Sequence, residues 1–140
     1  MQNLLRGVGF ITGAASGIGK ATAYSFARHG VRQLAIADIN FSAAEKAASA
    51  LNAEFQGLQA IPLPLDVTDQ KSIQDAVTQT VNKFGRIDYA VNNAGIGGSA
   101  VLSAEHEVEE WKKTIDIDLN GVWLSSRAQL QVMQKQEKLE

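Results

Sequence analysis

A glycine-rich turn offers the clearest site for chemistry in this sequence. Residues 12–19 read Thr-Gly-Ala-Ala-Ser-Gly-Ile-Gly, between an apolar strand and an amphipathic helix. Gly13 allows a sharp turn, Gly17 lets a phosphate approach the backbone, and Gly19 permits close packing of the helix. The free N–H groups and the dipole at the helix start then attract a negative group. The spacing therefore predicts that the pyrophosphate of a dinucleotide binds here.

One acidic residue stands where the ribose of such a dinucleotide would lie. Asp38 follows Gly19 by 19 positions, at the end of the second predicted strand. Its carboxylate can accept both ribose hydroxyls of NAD and would repel the extra phosphate of NADP. Positions 14–16 and 39–41 hold no arginine or lysine to receive that phosphate. We therefore predict NAD and disfavour NADP; the alternative is that Asp38 and Asn40 only begin a helix.

The elements that must position these residues alternate along the chain. Predicted strands cover residues 7–12, 33–38, 59–65 and 86–92, and predicted helices cover about 17–29, 40–55, 68–84 and 107–136. Asn40 and Thr68 are predicted caps of the second and third helices. Pro62 and Pro64 cannot donate to a β-ladder, so they place the third strand at an edge. This order predicts an α/β fold with a Rossmann-like, doubly wound parallel sheet, its four strands ordered 3-2-1-4.

The last predicted helix carries a stripe of large apolar side chains. They recur at helical spacing, as Trp111, Ile115, Leu119, Val122, Trp123, Leu130 and Met133. Such a stripe indicates core packing or a helix–helix interface rather than a platform for a substrate.

The composition of the chain excludes several classes of function. A length of 140 residues allows one domain, and 45% apolar with 20% charged residues is ordinary for a globular protein. A net charge of -2 without a basic cluster argues against nucleic-acid or membrane binding. The chain has no cysteine, so disulfides and thiolate chemistry are excluded. No signal peptide or membrane span is recognisable, which predicts a cytoplasmic location.

One histidine stands among carboxylates. His106 is surrounded by Glu105, Glu107, Glu109 and Glu110, a composition that metal sites also show. These residues open the fourth predicted helix, where carboxylates stabilise the helix dipole and stay solvated. We therefore predict no metal site.

Four motifs, in order, resemble the short-chain dehydrogenase/reductase family. Residues 12–19 match its T-G-x-x-x-G-x-G turn, and residues 66–67 (Asp-Val) match its adenine-binding pair. Residues 92–95 (Asn-Asn-Ala-Gly) match its N-N-A-G motif, and residues 117–122 (Ile-Asp-Leu-Asn-Gly-Val) match its V-N-L-x-G-V segment. The resemblance covers nearly the whole chain.

The resemblance implies roles for residues of these motifs. Asp66 would take the adenine amino group, and the Val67 N–H would meet a ring nitrogen. Asn93 would tie neighbouring strands, and its loop would face the cofactor ribose. The predicted cofactor-binding residues are Gly13, Ser16, Gly17, Ile18, Gly19, Asp38, Asp66, Val67, Asn93, Ala94 and Gly95.

The fourth motif departs from the family pattern at a catalytic position. The family has an asparagine there, which holds a helix kink and a proton-relay water. The phase of the motif assigns Asp118 to this position, whereas counting from Gly95 favours Asn120. Aspartate retains the backbone carbonyl that holds the water but lacks the amide donor. The alternative is that Asp118 is an ordinary residue of the helix surface or kink.

The family's other catalytic groups are a serine, a tyrosine and a lysine four residues after that tyrosine. In this sequence Tyr24 and Tyr89 are followed at that spacing by Arg28 and Asn93. Residues 1–140 are therefore predicted to form a single NAD(P)-binding Rossmann domain, incomplete relative to the family and truncated before strand five. The resemblance implies that the full-length form is an oxidoreductase interconverting an alcohol and a ketone, of unknown substrate.

Two alternatives to this oxidoreductase function stay open. One is a catalytically inactive nucleotide-binding or dimerisation module, and the other is a non-functional fragment. The fourth strand would form a sheet edge although its sequence is typical of a buried strand. An uncovered edge promotes pairing, so we expect a homo-oligomer or association with a full-length relative.

Overall fold

A four-stranded parallel sheet forms the centre of the molecule. The computed structural model describes residues 4–139. Its strands are β1 (Val8–Thr12), β2 (Gln33–Asp38), β3 (Gln59–Pro64) and β4 (Tyr89–Asn92). They lie in the order β3-β2-β1-β4, and every pairing is parallel. The predicted α/β class and Rossmann-like strand order are confirmed.

The register of the sheet brings the strand ends to one level. Thr12, the last residue of β1, pairs with Ala37 of β2 and with Asn92 of β4. Ala37 pairs in turn with Leu63 of β3. Because the strands are parallel, the loops that follow these positions leave the sheet at the same edge.

Helices cover both faces of the sheet. They are α1 (Gly17–Arg28), α2 (Phe41–Glu54), α3 (Gln70–Phe84), α4 (Val108–Ile115) and α5 (Gly121–Met133). Ile11 and Leu34 pack with α1 and α2 in one core, whereas Phe10 and Ala35 pack with α3 and α5 in another. Neighbouring residues of a strand point to opposite faces, so each strand contributes to both cores.

Most helix ends follow the predicted signals. The Asn40 side chain accepts a backbone N–H at 3.1 Å and caps α2. Gly85, at φ +83°, ends α3 in the left-handed conformation that suits glycine. The predicted cap of α3 is wrong, because Asp69 accepts the N–H of its first turn. The Thr68 hydroxyl instead donates to Asp66 at 2.7 Å.

The long helix predicted for about residues 107–136 is present as continuous helical backbone over residues 108–133, but it is not α-helical throughout. A π-helical turn, Asp116–Asn120, separates α4 from α5. Trp111 and Trp123 are 61% and 62% exposed, so core packing of these two tryptophans is wrong, whereas Met133 of the same stripe packs against the second core. The other alternative, an interface between helices, stays a prediction.

Small side chains, rather than the apolar stripe, face inward on α5. Gly121, Ser125 and Ala128 are buried. A Cβ on Gly121 would stand 2.7 Å from the Val67 side chain, closer than two carbon atoms can approach. The face of α5 that packs inward is thus mostly small, and Leu124, Val132 and Met133 pack partly against the core at its sides, whereas Trp123 and Leu130 lie outside.

β3 and β4 are the two edge strands of the sheet, and a groove lies beside β4. β3 lies at one edge, as Pro62 and Pro64 predict, and β4 lies at the other. All four residues of β4 are half-buried. Beside β4 runs a groove of about 480 Å³, with Phe26 of α1 and Met133 of α5 among its lining residues. The edge that the sequence predicts for the fourth strand is thus present in residues 4–139.

Candidate nucleotide-binding site

The turn between β1 and α1 is built around three glycines. Gly13 has φ +63°, and a Cβ there would stand 2.9 Å from the Ala94 Cα. A Cβ on Gly19 would overlap the Gly13 carbonyl oxygen. At Gly17, with φ +52°, a Cβ would meet nothing within 4 Å. Gly13 and Gly19 therefore allow close packing of the backbone, and Gly17 leaves open space in front of the turn.

The start of α1 has donors available for an anion. Within the described residues, the Ser16 side chain at the N-cap makes no capping hydrogen bond, and the first turn holds no acidic residue. Ser16 and Gly17 are exposed, and Ile18 is 78% exposed. Since the first N–H groups of a helix lack partners within it, they can bind a negatively charged group. This geometry fits a pyrophosphate.

Asp38 connects the glycine turn to the second strand. Its Oδ2 accepts the Ala15 N–H at 3.0 Å, and its Oδ1 accepts the Asn40 N–H at 2.9 Å. The residue is half-buried. Each carboxylate oxygen can accept two hydrogen bonds, so both oxygens retain a position for a hydroxyl. Asp38 therefore orders the turn and can still receive a diol.

Asn93 joins the end of β4 to the same turn. Its Nδ2 donates to the carbonyl oxygens of Thr12 and Gly13, both at 3.2 Å. The backbone N–H groups of Asn93 and Ala94 donate to the Thr12 hydroxyl, both at 3.0 Å. These four bonds hold the loop after β4 against β1.

A cavity of about 280 Å³ lies beside the turn, at the ends of β2 and β3. It brings together five of the residues predicted from the sequence: Asp38, Asp66, Val67, Ala94 and Gly95. Gly13, Ser16, Gly17, Ile18 and Gly19 lie in the turn itself, and Asn93 joins the turn to β4. The predicted residues thus fall into two neighbouring groups, one in the turn and one in or beside the cavity.

Asp66 lies in this cavity with capacity for a ligand. Its Oδ1 accepts both the N–H and the hydroxyl of Thr68, at 2.9 and 2.7 Å. Its own N–H donates to the Ser72 hydroxyl at 2.9 Å. Among residues 4–139, nothing donates to its Oδ2. That oxygen can accept an amino group.

Five further residues line the cavity that the sequence analysis did not assign to it. They are Ile39, Leu65, Ile96, Lys113 and Ile117. Ile39 is 74% exposed and Ile96 38% exposed, so both present apolar surface that a flat ligand would cover. The available signal was the four-residue spacing of Lys113 and Ile117, which places two residues on one helix face.

Asp118 and Asn120 both lie in the π-helical turn but make different contacts. The Asp118 Oδ1 accepts the Ile96 N–H at 2.9 Å. The Asn120 side chain donates to Asp116, one turn earlier, at 2.8 Å. Asp118 therefore contacts the loop that follows β4, whereas the hydrogen bond of Asn120 stays within its own helical segment.

Comparison with known proteins accounts for this arrangement. The profile of the family described as short chain dehydrogenase matches residues 8–138. The chain belongs to the short-chain dehydrogenase/reductase family. The resemblance predicted from the four motifs is confirmed, and members of this family are oxidoreductases that use a nicotinamide cofactor.

Individual short-chain dehydrogenases support the same assignment. The chain is 39% identical to the short-chain dehydrogenase srdC of Neurospora crassa, over 95% of this chain and 50% of that protein. The solved 3-ketoacyl-ACP reductase of Sinorhizobium meliloti has a TM-score of 0.83 and 36% identity, over 89% of this chain and 48% of that one. The 3-ketoacyl-(acyl-carrier-protein) reductase of Brucella melitensis, solved with NADH, has a TM-score of 0.78 and 32% identity, over 86% of this chain and 48% of that one. The chain thus spans about half the length of these relatives.

Across residues 4–139, no helix combines the length and apolar character needed to cross a bilayer. In the same part of the chain, no three His, Cys, Asp or Glu residues form a group that could hold a metal ion.

Proposed function

We propose that this short-chain dehydrogenase/reductase binds NAD at the glycine turn and the adjoining cavity. The position of Asp38 is the observation that supports this most strongly, because one carboxylate contacts the turn and lines the cavity. A pyrophosphate at the start of α1 would then have its ribose at Asp38 and its adenine in the cavity. Asp66 would receive the adenine amino group.

The choice of NAD over NADP also depends on Asp38. The extra phosphate of NADP would approach a carboxylate that two backbone N–H groups hold in place. The next residue, Ile39, has no charge to offset the repulsion. Two negative groups in contact, here the phosphate and the carboxylate, repel each other more strongly when they are partly shielded from water. We therefore propose NAD as the preferred cofactor.

We further propose that residues 4–139 form the cofactor-binding half of an enzyme that interconverts an alcohol and a ketone. When bound, the nicotinamide supplies or accepts the hydride. Asn93 and Asp118 hold the loop after β4 in position, and Asp118 occupies the family's asparagine position. Asn120 is the alternative that the contacts do not favour.

Hydride transfer to a ketone needs an acid at the carbonyl oxygen. Both tyrosines pack against aromatic rings instead. Tyr24 lies 5.9 Å from Phe55 and Tyr89 lies 5.6 Å from Phe26, measured between ring centroids. We therefore propose that these 140 residues alone bind the cofactor without turning over a substrate.

Two measurements on the 140-residue chain test this proposal. We expect saturable NADH binding by fluorescence titration, because the phosphate, ribose and adenine subsites all lie within residues 4–139. We expect no reduction of NAD when a panel of primary and secondary alcohols is added. A titration without binding at millimolar NADH would contradict the cofactor proposal. Alcohol-dependent reduction of NAD would contradict the proposed lack of turnover.

We also propose that the chain forms a homo-oligomer through the exposed apolar side chains of α4, the π-helical turn and α5. Trp111, Leu119, Trp123 and Leu130 are each at least half exposed on these segments. Exposed large apolar side chains at such a density are typical of an interaction surface. Association with a full-length relative is the alternative partner.

The substitution Trp123→Glu should weaken this association about tenfold or more, because buried tryptophans dominate interfaces. Analytical ultracentrifugation over a range of concentrations measures the effect. Leu4→Glu is the matched control, since Leu4 is 69% exposed but lies at the other end of the described chain. A wild-type chain that stays monomeric at all concentrations would contradict the proposal.

A further inference from the structure

Lys113 is a cation in the wall of the candidate adenine cavity. It lies on α4, one turn before Ile117, and both residues line the cavity. The other charged lining residues are Asp38 and Asp66. No other lysine or arginine in the described part of the chain lines this cavity.

Lys113 differs from the neighbouring Lys112 in its ion pairing. Lys112 donates to Glu109 at 2.9 Å, along the exposed face of α4. Within residues 4–139, Lys113 is exposed and forms no ion pair. Its ammonium is therefore available to a ligand.

The two carboxylates that line the cavity already have hydrogen-bond partners. Asp38 accepts two backbone N–H groups, and Asp66 accepts two donors from Thr68. Both therefore stay fixed without the lysine. A ligand in this cavity would therefore meet one cation and two ordered acceptors among the lining residues.

The chemistry of the walls suits a flat, electron-rich base. Ile39, Ile96 and Ile117 present apolar surface from three different segments. The methylene stem of a lysine can extend such a wall while its ammonium stays near water. The ammonium can then donate to a ring nitrogen of the base or lie over its π face.

We propose that Lys113 closes over the adenine of the bound dinucleotide. Its stem covers the base, and its ammonium contacts the base at the rim of the cavity. This inference rests on the proposed binding of NAD at the same site. It assigns α4 a direct part in cofactor recognition, besides the strand ends and the glycine turn.

Three variants test the role of Lys113 in NADH titrations. Lys113→Met keeps the stem and removes the charge, and should raise the dissociation constant about 3- to 10-fold. Lys113→Ala removes both and should raise it about 10- to 30-fold. The control Lys112→Met removes a charge from the neighbouring position and should stay within about twofold. Thermal melts confirm that each variant is folded.

Reduced nicotinamide mononucleotide, AMP and NADPH are further probes. The mononucleotide lacks adenine, so its affinity should not change in any variant, whereas AMP affinity should fall with that of NADH. Equal NADH affinity for the Lys113 and Lys112 variants overturns the inference, and so does a similar loss for the mononucleotide. A loss confined to NADPH also overturns it, since the lysine would then serve a phosphate. Failure of the wild-type chain to bind NADH instead overturns the proposed function.

Discussion

Gly19→Ala is expected to abolish NADH binding and to lower the free energy of unfolding by about 2–4 kcal/mol. The new Cβ would overlap the Gly13 carbonyl oxygen and approach the Asn93 Nδ2 to 2.6 Å. Both atoms are part of the hydrogen-bonded turn, so the turn itself would have to shift. Inside a helix alanine is otherwise favoured over glycine by about 1 kcal/mol. A net loss would therefore report the clash.

Urea unfolding at fixed protein concentration and NADH titration measure the two effects of Gly19→Ala. Gly97→Ala provides the matched control, because a Cβ at Gly97 meets nothing within 4 Å and its φ is ordinary. That variant should keep both its stability and its affinity. NADH binding by Gly19→Ala at wild-type strength would show that the phosphate does not depend on this turn.

Asp38→Ala is expected to weaken NADH binding about 100-fold while changing NADPH binding far less. The variant removes an acceptor for two ribose hydroxyls, and a hydrogen bond to a charged group contributes about 1.5–3 kcal/mol. It also removes the acceptor of the Ala15 N–H, which loosens the glycine turn. The preference for NADH over NADPH should therefore fall or reverse. Parallel titrations with the two cofactors give the ratio.

Asp69→Ala is a control that distinguishes a loss of NADH binding from a loss of stability. Asp69 accepts the Lys71 N–H at 2.9 Å and caps α3 away from the cavity. Asp69→Ala should lower stability by about 1 kcal/mol without changing NADH affinity. Asp38→Asn, which keeps an oxygen but loses the charge, should improve NADPH binding. A wild-type chain that prefers NADPH would be inconsistent with the role given to Asp38.

Most of the fold could be predicted because its signals are local. Asn40 and Gly85 mark helix ends through their own side chain or backbone freedom, and the two prolines mark an edge strand. The turn and Asp38 could be predicted because they lie where parallel strands end together, whereas Asp66 was predicted from its resemblance to the family's adenine-binding pair. These signals need only the residue and its immediate neighbours.

The π-helical turn within the last helix carries no such local signal, and only the family resemblance implied a kink there. No glycine or proline lies within residues 108–120 to mark a break, and the apolar spacing continues through the π-helical turn. The spacing shows that an apolar face exists but not what covers it. Close packing of Gly121 against Val67 turns that face outward.

The sequence analysis did not predict that Lys113, Ile96 and Ile39 line the cavity, for a similar reason. Lys113 and Ile96 are far from Asp38 in the sequence and share the cavity with it only in the folded chain, so no short spacing links them. Ile39 follows Asp38 in the sequence, but its exposed position is set by the tertiary structure. Contacts between distant segments are what the sequence pattern does not contain.

The common level at which β1, β2 and β4 end has an evolutionary consequence. Gly13, Asp38 and Asn93 each come one residue after mutually paired positions. Inserting one residue within a strand would displace its binding group by about 3.3 Å relative to the others. Connections at the opposite edge, such as residues 55–58, can change length without altering that alignment. We expect related sequences to accumulate insertions and deletions there and to conserve strand lengths.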